Sequence, residues 1–197
     1  RCVLAVIAMF ATGICLLGIG HEINWLARSQ APPLVTIDTW TSSVYARMSK
    51  NNLMKIGGAL EGRASESPSP LVGGTFGDDG IAGHGWMTAL LPYLFHRPIY
   101  DEIDFGQPWY SASNRRPFSH RVPEFESRRH KYSAASVPDG YAGTSYAAND
   151  RILNANRGMK VDEITDGTAY TIYAGEVKEK LHPWGDVVNC RNPRAID

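Results

Sequence analysis

Residues 86–109 read WMTALLPYLFHRPIYDEIDFGQPW, the densest apolar run outside the N-terminus, with polar or glycine-rich sequence on both sides. Trp86, Leu90, Leu91 and Leu94 recur at helical spacing, so the stretch predicts a short helix with one buried face. Pro92 removes a backbone donor inside that pattern and predicts that the helix kinks or stays short. Arg97-Pro98 then starts a second helix, because proline is favoured at the first helical position. Ile99, Tyr100 and Ile103 supply its apolar face, and Asp101 and Glu102 suit its positive end. Side chains of this size contribute roughly 1.5–3 kcal/mol each on burial, which makes the segment the expected keystone of the core. It holds no evident catalytic grouping.

Upstream, Ile37, Trp40, Val44, Met48 and Ile56 fall near one face and predict a helix to about Leu60, capped by Asp38 or Thr36. Residues 61–85 hold seven glycines, two prolines and three serines, the composition of an irregular surface loop. Within it, Gly73-Gly74 lacks the Gly-Lys-Ser/Thr of a phosphate loop. Asp78-Asp79-Gly80 suits a hairpin turn better than a calcium site. Downstream, residues 141–148 predict a strand and a turn. Asp166-Gly167 predicts a tight turn, and Thr168, Tyr170, Ile172 and Ala174 then alternate with Ala169, Thr171 and Tyr173 as a strand does.

Residues 2–20 form a run of 19 without Lys, Arg, Asp, Glu or His. As a helix it would be about 28 Å long, close to the roughly 30 Å hydrocarbon core of a bilayer. The run predicts a single-pass membrane anchor in contact with lipid, with Trp25 and Arg28 at its boundary. Residues 1–30 are then anchor and boundary, and residues 31–197 an extracytoplasmic domain. A cleaved signal peptide, ending near Gly18-x-Gly20, is the alternative. Twenty basic and twenty acidic residues cancel, without the basic excess of a nucleic-acid binder. The six Lys/Arg of residues 114–131 have no helical phase and read as a solvated loop. A 43% apolar content permits a core, and 19 glycines with 12 prolines make it loop-rich.

Trp86-x-x-x-Leu90-Leu91-Pro92-Tyr93-Leu94 followed by Tyr100-Asp101-x-x-Asp104-Phe105-x-Gln107-Pro108-Trp109 resembles the signature of the bacterial family called domain of unknown function 1559. Its members abound in planctomycete-type bacteria, and many begin with a prepilin-like membrane helix. Further matches fall in the same order: Arg47-Met48, Asn51-Asn52-Leu53 with Ile56-Gly57, Asn114, Thr144-Ser145-Tyr146, and Ile164-Thr165-Asp166-Gly167-Thr168. The resemblance implies an α+β fold, with a pilin-like helix packed on an antiparallel sheet behind the membrane helix. It gives these motif residues structural roles and implies no enzyme activity, cofactor or metal. Like subunits or other envelope proteins are the implied partners, and the cell membrane the implied location.

The sequence departs from that pattern in several places. The prepilin string Gly-Phe-Thr-Leu-x-Glu is missing, residue 5 is Ala5, and Ala31-Pro32-Pro33 interrupts a continuous helix. Relatives carry a cysteine just before the Asn-Asn-Leu string and another in Phe-x-Cys-Pro. Here Ser49-Lys50 and Ser127 stand at those places, so the implied bridge is expected to be absent. Asp197 precedes the Asp-Gly-Ser-Val strand of relatives, so that strand is expected to be missing.

The leading expectation is therefore a membrane-anchored, envelope-facing structural or interaction protein resembling a pseudopilin. Its first rival is an extracytoplasmic module that binds a glycan or peptide on exposed Trp40, Trp86, Trp109 or Trp184. A hydrolase is the weaker rival. Gly143-Thr144-Ser145-Tyr146-Ala147 imitates a nucleophile elbow but follows the turn-like Pro138-Asp139-Gly140-Tyr141. His84, His96, His120, His130 and His182 show no metal-ligand spacing.

Overall fold

A computed structural model describes residues 3, 12, 14, 17–19, 21, 24, 37–67, 71–128, 137, 138, 140–158, 160, 163, 164, 167, 171–179 and 181–192, with backbone alone for 37–40. The chain divides into two units, Arg1–Thr41 and Ser42–Asp197. Helix α1 spans Ile37–Glu66, six residues beyond the expected end. Glu61, Arg63, Ala64 and Glu66 are good helix formers. Gly62 is accommodated because the Tyr93 ring lies against it, 3.1 Å from where a Cβ would stand.

The region after α1 is not wholly irregular. Strands β1 (Gly74–Phe76) and β2 (Ala82–Gly85) pair antiparallel. The Asp-Gly turn joins them, with Gly80 at φ +77° and its N–H donating to Gly77 O at 2.9 Å. Close packing requires the glycine at 73: a Cβ there would lie 1.9 Å from Leu153 O.

Trp86–Leu94 is a nine-residue 3-10 helix, not the expected α-helix. Pro92 has no N–H to offer, and its ring crowds the carbonyl one α-turn back. The tighter winding distributes Trp86, Met87, Thr88, Leu90, Leu91 and Leu94 around the axis, and all six are buried. Phe95 ends the helix in the left-handed region at φ 63° and is 95% exposed. Arg97–Asp101 forms α2, with Pro98 in its first turn. Helix α3 (Arg115–Ser119) and a 3-10 turn, Pro123–Phe125, follow.

The remaining strands are short: β3 (Tyr146–Asn149), β4 (Leu153–Asn154), β5 (Arg157–Gly158), β6 (Ala174–Glu176) and β7 (Cys190–Arg191). β3 pairs antiparallel with β6 and parallel with β7, so the sheet is mixed instead of antiparallel. β4 and β5 form a separate hairpin. The strand expected from Thr168 begins at Ala174 among the described residues. Ile56, Ala59 and Leu60 of α1 share one buried cluster with Trp86, Leu90, Leu91, Leu94, Tyr146, Ala148 and Trp184.

The anchor expected over residues 2–20 is corrected. Among the described residues no helix is long and apolar enough to cross a membrane, and most of 2–20 lies outside them. A span needs about 20 consecutive apolar residues. The longest described helix, α1, carries Asp38, Arg47, Lys50, Lys55, Glu61, Arg63 and Glu66. The N-terminal membrane helix of the fold, the lipid partner, the single-pass cell-membrane location and the membrane-anchored role fall with it.

Candidate functional site

The motif residues spread over the core and the loops that frame it. Asn51 is exposed, whereas the Asn52 amide donates to Pro123 O at 3.1 Å and Glu126 O at 2.9 Å, tying α1 to the 3-10 turn. Leu53 packs partly buried on the core. Trp86 is buried, its indole N–H donating to Asn189 O at 3.0 Å. Leu91 is fully buried, Pro92 half-buried, and the Tyr93 hydroxyl donates to Glu66 at 2.9 Å. Asp101 pairs with Arg97 one turn back. Gly167 has φ +80° in a turn closed by its N–H on Ile164 O. Thr165, Asp166 and Thr168 lie outside the described residues.

Two serines converge on one carboxylate. Ser49 donates to Glu176 Oε2 at 2.7 Å and Ser127 to Glu176 Oε1 at 2.5 Å, while Ser49 and the Tyr146 hydroxyl lie 3.1 Å apart. The family resemblance implies cysteines near these places, at Ser49-Lys50 and at Ser127. Burial pushes the Tyr146 phenol above its ordinary value. The neighbouring Ser145 is fully buried, and its Oγ accepts the Ser127 N–H at 2.9 Å, a framework role within the same junction.

The histidines are dispersed. His96 and Lys55 each lie 2.9 Å from an oxygen of Glu124, and His182 lies 3.3 Å from Asp186. His120 is exposed and His130 lies outside the described residues. The described residues contain no group of three or more His, Cys, Asp or Glu arranged to hold a metal ion.

The described tryptophan side chains do not form the platform that the binding-module rival would use. Trp86, Trp109 and Trp184 are buried, and the Trp184 N–H donates to His120 O at 3.0 Å; the side chain of Trp40 lies outside the described residues. Other aromatics do reach the surface. Phe105 is 51% and Tyr110 50% exposed, on one loop between α2 and α3. Beneath them a chain of rings runs from Tyr100 through Phe105, His84 and Phe118 to Trp109, with centroid separations of 5.0, 5.1, 5.8 and 6.3 Å. Trp109 also meets Tyr110 at 5.6 Å and Tyr141 at 5.2 Å, and the Tyr141 hydroxyl donates to Tyr110 O at 3.0 Å.

Asn114, fully buried, holds that loop. Its Oδ1 accepts Asp104 N–H at 2.8 Å, and its Nδ2 donates to Asp104 O, Gln107 O and Pro108 O at 2.9, 3.2 and 3.0 Å. Trp109 N–H donates to Gly83 O at 3.0 Å and fixes the far end to β2. Sequence reading singled out Gln107, Pro108 and Trp109 but passed over Phe105 and Tyr110 as a surface pair. The usable signal was two aromatics bracketing a Gly-x-Pro turn with a tethering asparagine beyond it.

No curated protein and no solved structure matches the chain. Residues 46–197 match the model of a family described as Protein of unknown function (DUF1559), and the chain belongs to that family.

Proposed function

We propose that the chain is a non-catalytic binding module that recognises a glycan on the loop carrying Phe105 and Tyr110. The observation that carries this reading is the pair of half-exposed rings on a loop held at both ends by Asn114 and by Trp109. Exposed aromatic surface on a rigid support is the usual mark of a recognition site. A loop already fixed in the free protein also spends little entropy on binding. Asp104, Gln107 and Ser113 are exposed on the same loop and offer carboxylate, amide and hydroxyl groups, which suit a hydroxyl-rich ligand. The buried, hydrogen-bonded Ser145 favours the non-catalytic half of the reading.

Calorimetric titration with neutral hexasaccharides of glucose and of N-acetylglucosamine tests it. Phe105→Ala and Tyr110→Ala should each weaken binding about tenfold, which is ~1.4 kcal/mol, and the double variant should abolish it. Undiminished binding by the double variant, or no binding by the unaltered protein, would reject the reading.

A further inference from the structure

His84 is 8% exposed, and its Nε2 is fully buried with no hydrogen-bond partner among the described residues. Native interiors rarely leave a side-chain nitrogen in that state, because it forfeits the hydrogen bond that water provides in the unfolded chain. The imidazole packs against two rings, Phe118 at 5.8 Å and Phe105 at 5.1 Å between centroids. Phe118 is fully buried against Trp184, whereas Phe105 is half exposed. The backbone on either side of Phe105 is fixed, through Asp104 on Asn114 and through Gln107 and Pro108 on the same amide. Of the two rings only Phe105 reaches the surface, so turning its side chain is a route by which the imidazole would be uncovered.

We propose that His84 Nε2 is the polar contact of the binding surface, covered by Phe105 in the free protein and reached by a ligand hydroxyl when that ring turns outward to stack. The contact rests on the glycan reading above. Burial holds the imidazole below its ordinary value against the opposing pull of Asp104, so the ring is neutral at pH 7. A neutral imidazole has one donor and one acceptor nitrogen. A hydroxyl serves Nε2 in either tautomer, whereas a carboxylate or an ammonium serves it in one.

Two measurements on the full chain test this. In the first, diethyl pyrocarbonate modification of His84 is followed by peptide mass, with exposed His120 as the internal reference. Phe105→Ala and the milder Phe105→Leu should raise the His84 rate, the former at least tenfold, and leave His120 unchanged. Equal His84 rates in all three proteins would overturn the covering role. In the second, the same hexasaccharides are titrated. His84→Phe keeps a ring without a nitrogen and should weaken binding at least tenfold, whereas His84→Gln, whose terminal amide can stand in for Nε2, should stay within about threefold. Binding that is lost in Phe105→Ala with Tyr110→Ala but intact in His84→Phe overturns the His84 contact and leaves the glycan reading standing. No binding by the unaltered protein overturns both.

Discussion

Asn114, fully buried, makes four side-chain hydrogen bonds with one loop. Asn114→Ala would strip the Asp104 N–H and three carbonyls of their partner at once. Leaving buried groups unpaired costs about 1–3 kcal/mol each, and water recovers part of that where the loop is open. The expected net loss is about 2 kcal/mol. Urea midpoints measure it, and hydrogen exchange at the Asp104 amide should accelerate in parallel. This residue was legible in the sequence as a family position, yet its role was not. Which carbonyls an asparagine reaches depends on how residues 104–108 bend back, and that bend has no periodicity to read. Ser49 and Ser127 are similar: the sequence showed two substitutions at separated positions, and the fold shows that both point at Glu176.

Between elements, Glu124 joins the 3-10 turn to α1 through Lys55 and to the start of α2 through His96. Burial alone would raise its pKa, but the hydrogen bonds from His96 and Lys55 outweigh that and hold the carboxyl below its ordinary value. A carboxyl depressed in the folded state stabilises fully above its unfolded pKa, and the contribution disappears as pH falls through the lower, folded value. Stability should therefore drop as pH decreases below about 4.5. Glu124→Gln should cost about 1 kcal/mol at pH 7 and flatten that part of the pH profile, as denaturant titrations at pH 7 and pH 3 would record. An unchanged profile would show that the pairing contributes nothing. At this scale the sequence located the apolar positions of 86–94 correctly but not their hydrogen-bond spacing. Apolar spacing of three or four residues fits α and 3-10 winding alike, and Pro92 tips the choice through a steric effect that the pattern does not carry.

For the molecule as a whole, Leu91 is a fully buried member of the cluster that α1, the 3-10 helix and the strands share. Leu91→Ala should destabilise by about 2–5 kcal/mol, a large share of the roughly 5–15 kcal/mol available to a typical domain. A shift of the urea midpoint without a change in slope would register it. The keystone role of 86–103 was legible because a dense apolar run has to be buried somewhere. Pairing of β3 with both β6 and β7 was not, because it joins segments of two to four residues from distant parts of the chain, and strands that short leave little alternation to read. The Ser49–Glu176–Ser127 junction carries a last consequence. It links α1 to the β3–β6 pair through carboxylate acceptors, with no sulfur–sulfur bond. Cys190, the single cysteine in the sequence of residues 42–197, has its thiol pushed up to about 12 by burial and stays protonated at neutral pH. Thiol exchange is therefore expected to have no hold on this unit: dithiothreitol should leave its urea midpoint unchanged, as parallel titrations with and without the reductant would record.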